Sequence, residues 1–268
     1  MVLLLVLVLC AAMLTVNANT ACNLFELGRK YKSDKMLDHI FYESYCDTLQ
    51  KYVGMKDLRV LEIGFGCGHH VHGSSAQLWR EYFDKNGTTG MKLYEVDLDT
   101  EKHRKCVDDF LEKNGPYTNN KHATDVYLGD QGNAKFMEDV VKKSGGNYDI
   151  IIDDGGHQYH LSHVSFHVLW EHLKPGGIYF IEDLQIYRDD NNPKMMKEIY
   201  SWIDQLATAR RLEPKAKAQG ERGPLGGSDG YGNVENEPYF YPKPRDMMWI
   251  LCQHEMCAFR KKPTTKGG

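Results

Sequence analysis

The chain has 268 residues, 41% hydrophobic and 26% charged, which is enough apolar material for one sizeable core and excludes a disordered or low-complexity protein. Its formal net charge of -4 excludes the basic footprint of a nucleic-acid binder, and the short run Arg260-Lys261-Lys262 with Lys266 reads as solvated tail.

Val2 through Leu14 are almost wholly apolar and are followed by the small residues of Val16-Asn17-Ala18. This pattern reads as a secretory signal over residues 1–18, with the remainder, 19–268, as one domain. An uncleaved anchor and a mere hydrophobic N-terminus are the other readings, and membrane contact is expected only for an anchor; the stretch is short for a full span. Entry into the ER/Golgi lumen or secretion follows from the signal. Seven cysteines are present, and loss of Cys10 leaves an even set that fits an oxidising compartment. Cys252 and Cys257 flank a terminal hairpin and are the best candidates for a bridge, whereas Cys67, inside a glycine loop, reads as a small filler. Asn86-Gly87-Thr88 is a glycosylation sequon in a polar loop.

Residues 23–50 are expected to form helices covering one end of the site. From Leu58 to Leu184 strand and helix signals alternate without a long linker, the pattern of a parallel α/β sheet. Strands are expected at Leu58–Ile63, Lys92–Val96, Thr124–Leu128, Tyr148–Asp153 and Ile178–Ile181. Between them lie helices whose apolar faces carry Leu78, Trp79, Tyr82 and Phe83, then Val107, Phe110 and Leu111, then Phe136, Val140 and Val141, then Phe166, Leu169, Trp170 and Leu173. Lys174-Pro175-Gly176-Gly177 is expected to stop the last of these. Lys194–Arg211 reads as a helix with Ile199, Trp202, Ile203 and Leu206 on one face. Leu212 to Arg245, rich in glycine and proline, reads as a long lid loop in which Tyr231, Tyr239, Phe240 and Tyr241 either stack on a ligand or pin the loop to the core. Met247–Cys252 and Met256–Arg260 form a closing hairpin. The fold class is therefore α/β: a doubly wound, mostly parallel sheet with a C-terminal antiparallel hairpin.

The chemistry concentrates at strand ends. Asp153-Asp154-Gly155-Gly156-His157 closes one buried strand and Glu182-Asp183 closes another, at the carboxyl edge where open α/β sheets bind ligands. Ends of neighbouring strands lie about 5 Å apart, so Asp154, Glu182 and Asp183 come within reach of one ion. Such carboxylates repel one another unless a cation neutralises them, and oxygen ligands without thiolate suit Mg2+. His160 and His163 read as surface or satisfied helix positions, and His69, His70 and His72 crowd one short loop.

Glu62-Ile63-Gly64-Phe65-Gly66-Cys67-Gly68 follows the first strand, where Gly64 and Gly66 let backbone approach a ligand closely. His69 stands where a dinucleotide fingerprint wants its third glycine, which disfavours nicotinamide and flavin; an acid before the glycines is typical of S-adenosylmethionine sites. Asp97 ends the second strand within reach of ribose hydroxyls, and Asp130 and Gln131 end the third, placed to meet an adenine ring.

Leu61-Glu62-Ile63-Gly64, Gly129-Asp130-Gln131, Ile152 through His157, and Lys174-Pro175-Gly176-Gly177 through Leu184 together resemble class I, Rossmann-like methyltransferases of the metal-dependent macrolide-sugar O-methyltransferase type, over residues 30 to 188 in motif order. Lys32-Ser33-Asp34-Lys35 and Tyr42-Glu43-Ser44-Tyr45 resemble that family's short N-terminal motif, and Ser75 through Trp79 its first helix. The resemblance implies S-adenosylmethionine and Mg2+ as cofactors, Glu62, Gly64, Gly66, Ser75, Asp97, Asp130, Gln131 and Asp153 around the nucleoside, Asp154, Glu182 and Asp183 as metal ligands, and His157 as general base beside Asp154. It implies a sugar hydroxyl, free or on a glycosylated small molecule, as acceptor; no nucleic-acid partner is expected, and self-association is left open. Two departures bear on the acceptor: Gly156 replaces the usual serine, and the loop after Gly68 is histidine-rich. The rival readings are a methyltransferase of catechols or other small diols and a lumenal binding protein that keeps the fold without the chemistry.

Overall fold

The computed structural model describes residues 22–67, 71–114, 123–189, 194–208 and 241–264. The stretch expected to be a signal (residues 1–18), Cys10, His69, His70, Tyr231, Tyr239, Phe240, Lys266 and most of the expected lid lie outside these residues.

A cap of three short helices comes first: α1 (Leu24–Tyr31), α2 (Asp34–Leu37) and α3 (Tyr42–Leu49), the last continued by one 3-10 turn. The sheet then forms from β1 (Arg59–Ile63), β2 (Lys92–Asp97), β3 (Ala123–Leu128), β4 (Tyr148–Asp153) and β5 (Leu173–Ile181). Helices α4 (Ser74–Asp84), α5 (Glu101–Asn114), α6 (Ala134–Ser144) and α7 (Tyr159–His172) make the crossovers; α8 (Ile186–Asp189), α9 (Lys194–Ala207) and the hairpin β6 (Met247–Gln253) and β7 (Met256–Lys261) follow. Strand order is β3-β2-β1-β4-β5-β7-β6, with β1 through β5 parallel and β7 antiparallel to both its neighbours. The expected sheet is therefore the one found. The order reverses at β1, between β2 and β4, so a crevice opens where their carboxyl ends diverge.

Alternate residues of the buried strands feed two cores. Val60, Leu93, Ile150, Ile152, Ile178 and Phe180 face Leu78, Trp79 and Phe83 of α4 together with Leu24, Phe41 and Tyr45 of the cap. Leu61, Val96, Ile151, Tyr179 and Ile181 face Met137 of α6, Phe166 and Trp170 of α7, and Ile199 and Trp202 of α9. The cap is thus part of the core: Tyr45 packs edge-on against Trp79 at 4.9 Å between ring centroids and lies 4.8 Å from Phe180. A Cys22–Cys46 disulfide ties α1 to α3.

Three local expectations change. Leu173 is not on the helix face but starts β5, paired with Tyr148; the backbone turns extended there and carries the Lys174–Gly177 segment into the sheet, with Gly176 at φ 79° supplying the irregularity. On α9 the buried face runs through Met195, Glu198, Ile199, Trp202 and Gln205, leaving Ile203 39% exposed. Cys67 is bonded to Cys106 of α5, and Cys252 to Cys257 as expected.

His163 is a buried core position, partnered at Nδ1 but with no hydrogen-bond partner at Nε2 among the described residues. Its Nδ1 lies 2.9 Å from Glu198 Oε2, while His167 Nε2 lies 3.1 Å from the other oxygen, so α9 is pinned to α7 by one buried carboxylate between two imidazoles. Burial alone would raise the Glu198 pKa, but the two histidines outweigh it and hold it at about 2. Because the folded value lies below the unfolded one, this stabilisation is full above the unfolded pKa and is lost as pH falls from about 4.5 towards 2. Glu198→Gln should flatten the acid limb of a stability-versus-pH curve by roughly 2 to 3 kcal/mol over that window, read from urea melts at stepped pH; an acid limb identical to wild type would refute it.

Candidate active site

All five parallel strands end on one rim, and the rim is acidic. Asp153 and Asp154 are consecutive at the end of β4, so they diverge. Asp153 turns into the sheet, where Ser165 Oγ (2.6 Å), Gln131 Nε2 (3.1 Å) and Tyr179 Oη (3.3 Å) donate to it at 1% exposure. Gln131 accepts in turn from Gly156 N at 2.8 Å. The structure therefore gives Asp153 and Gln131, expected at the nucleoside, to an internal brace beneath the Gly155-Gly156 turn.

Asp154 turns to the crevice. Gly64, at φ +106°, lets the β1 loop pass beside it: a Cβ there would fall 2.0 Å from the Asp154 carbonyl oxygen. His157 Nε2 lies 3.8 Å from Asp154 Oδ1 and 3.6 Å from Asp183 Oδ2. The other Asp183 oxygen faces His39 Nδ1 at 3.5 Å, and His39 bonds Glu255 of the β6–β7 turn at 2.9 Å. Burial would lower the His39 pKa, but Glu255 and Asp183 outweigh it and the net shift is upward. His157, Asp183 and Glu255 hold φ values of 48°, 54° and 62°, a left-handed conformation that costs a non-glycine residue energy and gathers at functional sites.

Asp154, His157 and Asp183 offer ligand atoms within 4.8 Å of one another, as do His39, Asp183 and Glu255. The two carboxylates of the first trio, Asp154 and Asp183, are the oxygen donors a hard divalent ion takes, with the His157 imidazole beside them. Glu182, expected beside them, turns inward instead: it is 1% exposed, accepts from Tyr45 Oη and pairs with Lys35 Nζ at 2.7 Å. Lys35 also contacts Asp154 Oδ2 and lies 3.4 Å from Glu62 Oε1. Burial would lower the Lys35 pKa, but Asp154, Glu182 and Glu62 together hold it well above the ordinary lysine value, so it is an ammonium.

Glu62 is wholly buried and also accepts from Ser75 Oγ (2.8 Å) and Trp79 Nε1 (3.1 Å). Ser75 thus orients Glu62, which presents one face of a polar wall behind the glycine loop. Gly66 holds φ 81° in that loop. Asp97 caps its own strand through Leu98 N at 2.7 Å and lies 3.8 Å from His103. Asp130 is exposed and accepts from Gly132 N at 2.8 Å. Asp97 ends β2 and Asp130 follows β3, both at the carboxyl edge of the sheet.

Sequence reasoning missed four participants. Lys35 and Tyr45 were visible only as parts of an N-terminal motif, and His39 carried no signal. Glu95 was hidden in an apolar strand, although its position two residues from Leu93 places it inward. It is in register with Glu62 on β1, fully buried, with no hydrogen-bond partner on either oxygen among the described residues. Burial, then the neighbouring Glu62, pushes its pKa well up.

Residues 61–184 match the methyltransferase domain family. The demethylmacrocin O-methyltransferase of Streptomyces fradiae is 28% identical over 164 residues, covering 60% of this chain and 36% of that protein. The mycinamicin VI 2''-O-methyltransferase of Micromonospora griseorubida is 30% identical over 165 residues, with the same coverage of 60% and 36%. The chain therefore aligns with about a third of the length of these relatives. Among solved structures, MycE from the mycinamycin biosynthetic pathway, in complex with Mg and SAH, superposes with a TM-score of 0.63 at 23% identity, over 92% of this chain and 56% of that one. Over residues 61–184 the chain is thus similar to the methyltransferase domain family, and over the matched segment to enzymes named as O-methyltransferases.

The raised pKa of Glu95 costs stability as pH climbs above the unfolded value, because the unfolded chain ionises there and the folded one must hold the proton. Glu95→Gln should therefore raise the melting temperature more at pH 8 than at pH 5. An equal change at both would show that Glu95 is not a buried neutral acid.

Proposed function

We propose that the chain transfers the methyl group of S-adenosylmethionine to a hydroxyl of a sugar or glycosylated small molecule, assisted by Mg2+. The observation that carries this reading is the convergence of Asp154, His157 and Asp183 at the ends of β4 and β5, beside the Glu62 glycine loop. The relatives support the reaction class, being O-methyltransferases of macrolide and tetracenomycin sugars.

A sugar hydroxyl ionises far above neutral pH, so a base must take its proton as the oxygen attacks. The acceptor oxygen forms a bond to the methyl carbon, the carbon–sulfur bond breaks with its electrons leaving on sulfur, and the hydroxyl proton passes to His157 Nε2. That nitrogen stands between Asp154 and Asp183. A bound Mg2+, held by Asp154 and Asp183, would act as Lewis acid on the acceptor oxygen. Gly64 and Gly66, with Asp97 and Asp130 farther along the rim, would receive the nucleoside, while Glu62 and Lys35 form the wall at its methionine end. The rest of the catalysis is alignment.

We also infer a lumenal or secreted setting. Cys22–Cys46, Cys67–Cys106 and Cys252–Cys257 are the disulfides of an oxidising compartment, and Asn86 of the sequon is exposed.

His157→Ala should leave S-adenosylmethionine binding within about twofold by calorimetry while lowering turnover by about 10²- to 10⁴-fold. The assay is S-adenosylhomocysteine release with a panel of free sugars, glycosides and catechols, with and without Mg2+. Transfer to catechols alone would reassign the acceptor, and unchanged turnover in the variant would remove His157 from the chemistry.

A further inference from the structure

Carboxylates from three strand ends share one ammonium, and that ammonium comes from outside the sheet. Lys35 belongs to α2, which has only four residues and no side-chain hydrogen bond at its N-cap. Its side chain is 2% exposed and reaches Glu62 at the end of β1, Asp154 after β4 and Glu182 after β5. Asp154 is divided between two neighbours: Oδ2 contacts Lys35, while Oδ1 faces the His157 side, where Asp183 also converges. Glu182 precedes Asp183 in the chain, yet Lys35 and Tyr45 hold it away from that convergence.

We propose that Lys35 is the resident counter-ion of this cluster and sets its affinity for a divalent cation, competing with the ion for Asp154 and Glu182 and so coupling cation uptake to the seating of the N-terminal cap. The proposal rests on the divalent-ion reading above. Two cations that draw on the same carboxylates in a site of low dielectric weaken each other's binding. An ion that recruits Glu182 must take it from the ammonium, and the ammonium is what fastens α2 to the sheet. A lysine that merely braced the site would behave oppositely: its loss would scatter Asp154 and Glu182 and weaken ion binding.

The test uses the full chain and reads cation binding, by the spin-resonance signal of Mn2+ and by Mg2+ calorimetry, in wild type, Lys35→Met and Lys35→Arg. Lys35→Met should bind Mn2+ roughly tenfold or more tightly than wild type, since a unit charge has left a buried neighbourhood. Lys35→Arg, which keeps the charge, should stay near wild type. The methionine variant should also melt lower without divalent ions and recover more than wild type when Mg2+ is added. Equal or weaker Mn2+ affinity in Lys35→Met overturns the proposal, as does the absence of Mn2+ binding in every form. Should Lys35→Met fail to fold, the wild type decides: saturating Mg2+ should speed amide exchange across residues 33–37, and unchanged or slower exchange there overturns the proposal. No arm depends on methyl transfer, so a chain that passes them without transferring methyl groups would sink the functional reading alone.

Discussion

The site depends on the ion pairs that Lys35 makes across the ends of β1, β4 and β5. Charges buried this deeply are tolerable only when paired and hydrogen-bonded, and here the pairing is spread over Glu62, Asp154 and Glu182, with Tyr45, Ser75 and Trp79 supplying further donors. Each donor comes from the cap or from α4, so the polar wall exists only when cap, helix and sheet have docked together. The aromatic contacts of Tyr45 with Trp79 and Phe180 make that docking apolar as well as ionic.

Around that centre, side chains close in sequence do different work. Asp153 and Asp154 are neighbours, yet the pleat sends one into an internal brace and leaves the other at the rim. Glu182 and Asp183 divide in the same way, the first inward to Lys35 and the second outward to His157 and His39. Braced carboxylates hold the turns in place, and the outer member of each pair, Asp154 and Asp183, faces the crevice. The left-handed backbone at His157, Asp183 and Glu255 belongs to the same arrangement, because each turn must reverse sharply to present its side chain to a shared space.

Much of this was legible in the sequence because it is local. Apolar periodicity located the strands and most helix faces, and the acidic pairs after β4 and β5 identified the rim without any knowledge of contacts. What escaped was non-local. Lys35 meets its partners across 119 and 147 residues, and no spacing rule spans such gaps. Cys67 and Cys106 are 39 residues apart, so the bridge between them was hidden by the apparent role of Cys67 as a glycine-loop filler. Glu95 escaped because a single acid in an apolar strand reads as an interruption, whereas pairing of β1 with β2 stacks it beside Glu62. Leu173 was misplaced because an apolar residue one turn after Leu169 satisfies a helical period even where the chain has already gone extended.

The Cys67–Cys106 bond fastens the loop between β1 and α4 to α5. A cross-link of this kind removes loose arrangements that the loop would otherwise sample and that a ligand would have to select against. Material made in a reducing bacterial cytoplasm would carry thiols at these positions, and its affinity for a nucleoside ligand would be diluted by the share of loops out of place. Periplasmic or eukaryotic secretory production is therefore the appropriate source of protein for any quantitative binding study.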